Sequence, residues 1–136
     1  MTSGINYLAV LVAALAAWAV GFVWYEVLWK GWLAAQRESK ADLADRFRHP
    51  RAYLIFVFVV ELIMARILAE IVGHAGDVTV PTGLTWAVFC WLGLVAPVMV
   101  TENFYLGRTG GLGVINLGHW LVVLLVMGAI IGIFGA

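Results

Sequence analysis

The stretch YLIFVFVVELIMARILAEIVG, Tyr53 to Gly73, decides the fold. At about 1.5 Å per helical residue it spans roughly the 30 Å of a hydrocarbon core, and it carries Glu61, Arg66 and Glu70 inside an otherwise apolar run. Ionisable groups at that depth are expensive and are retained where they are paired or used. The rest of the chain reads as three further apolar helices that give these groups partners and shield them from lipid.

Composition agrees. Of 136 residues, 64% are hydrophobic and 12% charged, against about a quarter charged in soluble domains. Eight basic and eight acidic residues cancel, and no basic stripe with interleaved aromatics is present, which sets nucleic acid aside. Cys90 is the single cysteine, so an intrachain disulfide and a cysteine-based metal motif are both excluded. The first apolar stretch lacks a basic flank before it and continues for about twenty-four residues, so it reads as a retained span.

Four spans are expected in one domain covering residues 1–136, at about 5–28, 52–73, 82–103 and 114–134. In the first, Ala9, Ala13, Ala17 and Gly21 form a smooth stripe, and Trp24, Tyr25, Trp29 and Trp32 close it with aromatics of the headgroup type. Between Lys30 and Arg51 the chain is charged, and Ser39-Lys40-Ala41-Asp42 resembles a capping box, so a short helix on the cytoplasmic membrane surface is expected. Pro50 opens the second span, and Pro97 is expected to kink the third. Gly128, Gly132 and Ala136 make a second small-residue stripe in the fourth. Lys and Arg lie in the first connector and at Arg108, which places the 30–51 connector in the cytoplasm and both termini outside, in the plasma (inner) membrane. Both small-residue stripes then fall toward the outer leaflet, where the first and fourth spans can pack antiparallel.

The candidate polar interior comprises Glu26, Glu61, Glu102, Asn103, Asn116 and His119. All but Glu61 fall in the cytoplasmic half, and Glu61 lies about 13 Å into its span. Carboxylates facing an imidazole suit proton relay or binding of a divalent cation by oxygen and nitrogen. Against this stands the plainer reading of His119 as a hydrogen-bonded packing residue and of Glu26 and Glu102 as hydrated groups near the headgroups. Arg66, Glu70 and His74 are four apart, so Arg66 and Glu70 form an intrahelical ion pair. Glu61 lies about 140° around the axis from Arg66, so its partner is expected from another helix. Haem is disfavoured, since His74 and His119 sit at opposite ends. No Ser/His/Asp or Cys/His arrangement, phosphate loop or dinucleotide fingerprint appears, and the identity of any other cofactor is left open.

Gly21-Phe22-Val23-Trp24-Tyr25 with Trp32, Ile115-Asn116-Leu117-Gly118-His119-Trp120-Leu121 and Gly128-Ala129-Ile130-Ile131-Gly132 resemble the small four-helix membrane proteins grouped as domain of unknown function 1761. The resemblance covers nearly the whole chain apart from the charged connector, and Glu26 replaces the small residue expected after the Trp-Tyr pair. It implies a four-span, all-α architecture and no assigned activity.

These features favour an integral membrane four-helix transmembrane bundle, oligomeric or joined to a partner subunit, whose carboxylates move or bind protons or small cations. A structural or accessory subunit is the alternative. A membrane enzyme or lipid or quinone binder using the aromatic rim is weaker.

Overall fold

The computed structural model describes residues 5–27, 50–107 and 111–135, and is all-α there. Four helices follow in order: α1 (Tyr7–Val27), α2 (Pro50–Ala75), α3 (Val80–Tyr105) and α4 (Gly111–Phe134). Three of them are long and apolar enough to cross a membrane: α1, α3 and the Gly113–Phe134 part of α4. The 26 residues of α2 match α3 in length but carry Glu61, Arg66 and Glu70. The surface helix expected in the charged connector falls within residues 28–49, outside the described ones.

Local chemistry explains the helix ends. The Thr79 hydroxyl accepts from the Thr82 N–H at 3.3 Å, Pro81 occupies the first turn where its missing N–H costs nothing, and α3 begins there. At its other end Gly107 takes φ 68, a left-handed conformation that glycine adopts without a Cβ clash. Within α3, Pro97 lacks an N–H and its ring would collide with the preceding turn of an ideal α-helix. The chain answers with one wide π turn, Trp91–Val95, in which the Ala96 N–H reaches the Trp91 carbonyl five residues back. The interruption expected at Pro97 is thus a π segment immediately before it.

The order of packing is α2, α1, α4, α3, with α2 also touching α3 and α4. On α1 the expected stripe is buried in full: Ala9, Ala13, Ala17 and Gly21 all face the interior. Small side chains let α1 approach α2 and α4 together. The Trp18 indole donates to the Leu54 carbonyl at 3.2 Å and meets Phe58 edge-on, while the Tyr7 ring lies 5.8 Å from the Arg66 guanidinium. Residue 18 therefore pairs with 54–58 and residue 7 with 66, an antiparallel register.

The second stripe has a different partner from the one expected. A Cβ on Gly128 would strike the Gly83 carbonyl, one on Gly83 would strike the Gly128 carbonyl, and one on Gly132 would strike the Thr79 backbone. Gly128 and Gly132 thus bring α4 into backbone contact with α3. The first and fourth spans do pack antiparallel, with Gly21 against His119 and Tyr25 against Asn116, while the Cβ positions of Gly128 and Gly132 face α3. Ala136 lies outside the described residues.

Large apolar side chains cover the exterior, among them Phe56, Ile63, Phe89, Leu94, Val98 and Ile133, each more than half exposed. The interior holds two polar exceptions among the described residues, Glu61 and His119.

Candidate functional site

Glu61 occupies the inward face of α2, in line with Ala65, Leu68 and Val72, and is completely buried. Its two carboxylate oxygens, Oε1 and Oε2, find no hydrogen-bond partner among the described residues. The partner expected from another helix is not found among the described residues, and the registers show why. Carried along α1, the α1–α2 register sets Glu61 opposite Ala13 and Ala14, both wholly buried and without a polar side-chain atom. The α1–α4 and α3–α4 pairings continue that level to Met127 and to the Gly83–Gly128 contact. These positions are apolar because close helix approach demands small or apolar residues there.

His119 is built into a second, separate cluster. Gly21 lets α4 close over α1: a Cβ there would come within 2.8 Å of His119 Nε2. The ring of Tyr25 stands 4.9 Å from the imidazole and that of Trp120 at 4.7 Å. The Tyr25 hydroxyl donates to Asn116 Oδ1 at 2.6 Å, and the Trp24 indole donates to the Ile115 carbonyl at 3.1 Å. From α3, the Trp91 indole donates to the Leu117 carbonyl at 3.0 Å. Each indole N–H thus uses a helix carbonyl on a neighbour, which spares it an unpaired donor in an apolar setting. His119 Nδ1 is buried without a partner among the described residues.

Pairing of residue 21 with 119 on one side of α1, and of 18 with 54–58 on the other, places the imidazole about eight residues above Glu61 on the bundle axis. That is about 12 Å at helical rise. Ala13, Ala14, Ala17 and Gly21 of α1 run between the levels of the two groups.

The other candidates distribute differently. Asn116 belongs to the His119 cluster. Asn103 is half-buried on the last turns of α3. Glu26 and Glu102 are exposed at the ends of α1 and α3, so the structure does not bring them to His119 or Glu61 as interior groups; each stands within four residues of its helix end. Arg66 Nη1 lies 2.7 Å from Glu70 Oε2, and both side chains are about a quarter exposed. His74 Nδ1 lies 2.8 Å from the Glu70 carbonyl oxygen. Among the described residues no three His, Cys, Asp or Glu side chains converge to hold a metal ion.

Trp24 and Tyr25, among the aromatics that close the first span, reach onto α4, because Gly21 and Gly118 open the space: a Cβ on Gly118 would come within 3.1 Å of the Trp24 ring. Trp91 carries no sequence signal that sets it apart from the other aromatics. Gly21 and Gly118 do have one, since each stands within a few residues of a polar or aromatic partner in the motif-like segments.

Comparison with known proteins gives one match. The family model described as Protein of unknown function (DUF1761) covers residues 8–132. No curated protein and no solved structure matches.

Proposed function

From the premise that the chain belongs to the DUF1761 family, which brings no activity with it, we propose a four-span membrane protein that binds and moves protons or small cations at Glu61. The observation that carries this reading is the complete burial of a carboxyl group whose oxygens have no partner among the described residues. An ionised carboxylate alone in such a place costs on the order of several kcal/mol even after relaxation. The burial is sustainable for a protonated acid or for a carboxylate accompanied by a cation. A group that can alternate between those conditions at mid-membrane is what an ion pathway requires.

Support for the four-span reading comes from the exterior, which is apolar on all four helices, and from α2. Its Arg66–Glu70 pair and His74 cluster toward one end, leaving Glu61 alone at the centre. In this reading the 30–51 connector and Arg108 face the cytoplasm, the termini face outward, and the membrane is the plasma (inner) membrane. The test is flux: liposomes containing the purified protein should pass protons or small cations, and Glu61→Gln should reduce that flux to the leak of empty liposomes while helical content is kept.

A structural or accessory subunit is the second reading, and the glycine-mediated closure of α3 on α4 favours it, since backbone contact leaves no passage between those helices. It predicts no flux from well-folded protein, and co-purification of a membrane partner that is lost when the helix contacts are disturbed.

A further inference from the structure

Resting on the reading of Glu61 as an ion site, we infer that its ligand is the proton itself and that metal cations are excluded. A proton needs one lone pair of one oxygen. A calcium ion takes six to eight oxygen ligands and magnesium a near-ideal octahedron, and a potassium ion gives up its water only to a ring of oxygens that replaces it. Glu61 offers two oxygens. The positions at its level supply no more: Ala13 and Ala14 on α1, Met127 on α4, Ala65 one turn on along α2, and the glycines of the α3–α4 contact. Backbone carbonyls there belong to continuous helices, each with one lone pair used in the helix hydrogen bond and its C=O held along the helix axis, so they cannot turn together into a ring of ligands around one ion.

Charged and titratable groups on the facing helices are also distant. On α1 the nearest is Tyr7, about a turn and a half away along the axis and stacked over Arg66. Tyr25 and Glu26 lie beyond the His119 level, Cys90, Glu102 and Tyr105 follow farther along α3, and His119 itself is about 12 Å off. On α2 Arg66 is turned away by about 140° and Glu70 by about 180°, and the two pair with each other. Among the described residues nothing at this level adds an oxygen ligand or compensates the second charge of a divalent ion, so a metal cation would arrive dehydrated and under-coordinated. A proton converts the carboxylate to a neutral acid and removes the need for compensation.

The experiment is infrared spectroscopy of the full-length protein in liposomes at neutral pH, with sodium, potassium, magnesium or calcium added in turn. The expected result is a carbonyl stretch of a protonated carboxyl that is lost in Glu61→Gln, shifted but kept in Glu61→Asp, and unmoved by any of the four cations. Should Glu61→Gln not fold, the shift in Glu61→Asp makes the assignment. A band abolished by one of the cations overturns the inference and leaves Glu61 as an ion site of another kind. A wild-type protein with no such band before any cation is added overturns it as well. The band present in a protein that passes no ions upholds the inference and counts against transport, so the two failures are separable.

Discussion

Two side chains set the character of this molecule. Glu61 and His119 are the polar residues buried in an interior otherwise made of Gly, Ala, Val, Leu, Met and Ile among the described residues. Their surroundings differ. His119 sits between the rings of Tyr25 and Trp120, whereas the described positions at the level of Glu61 are apolar. The prediction at this scale concerns the His119 cluster. Tyr25→Phe removes the donor to Asn116 Oδ1 and should lower stability by about 1 kcal/mol, in line with interhelical hydrogen bonds in membranes. Gly21→Ala should cost more, because the new methyl meets His119 Nε2 at 2.8 Å and the ring is held by Tyr25 and Trp120. Denaturant titration of the purified protein checks both, and an unchanged midpoint for Gly21→Ala would contradict the close approach of α1 and α4.

At the scale of elements, close contact is written in glycine and alanine. Gly128→Ala puts a Cβ onto the Gly83 carbonyl, where backbone must move, and overpacking of this kind costs roughly 1–3 kcal/mol. The gain in helix propensity, about 1 kcal/mol, offsets part of that. Gly93→Ala meets nothing within 4 Å, so the same substitution there should be neutral or stabilising. Thermal unfolding of the two variants side by side checks the difference, and equal effects would contradict the α3–α4 contact. The helices themselves were legible from apolar runs, Pro50 and Pro81, because each run is long and bounded by breakers. The partner of each stripe was not. Small residues at four-residue spacing announce that something approaches closely but carry no label for which helix does. Hence the Gly128–Gly132 stripe proved to serve α3, and the π turn before Pro97 could be anticipated only as an interruption.

For the whole molecule, depth along the helices was readable and lateral neighbours were not. Counting residues placed Glu61 near the middle and His119 toward one end, which the observed registers reproduce as a separation of about 12 Å. Counting could not reveal that Glu26 and Glu102 are exposed, because helix ends are where rotation about the axis decides between interior and surroundings. Nor could it show that Glu61 has no hydrogen-bond partner among the described residues, since four thin helices offered several polar groups from which one was expected. The topology proposal is checked at this scale: a cysteine placed next to Arg108 should react with a membrane-impermeant reagent only from the cytoplasmic side, and labelling from outside would reverse the assigned orientation.

The central claim is that the buried carboxyl of Glu61 carries the ion. Its most direct test is potential-driven proton uptake into liposomes, with a potassium gradient and valinomycin setting the voltage and an internal dye reporting pH. Wild-type protein and Glu61→Asp are predicted to acidify the lumen faster than empty liposomes, and Glu61→Gln to match them. Equal uptake by wild type and Glu61→Gln, with both well folded, would contradict the account.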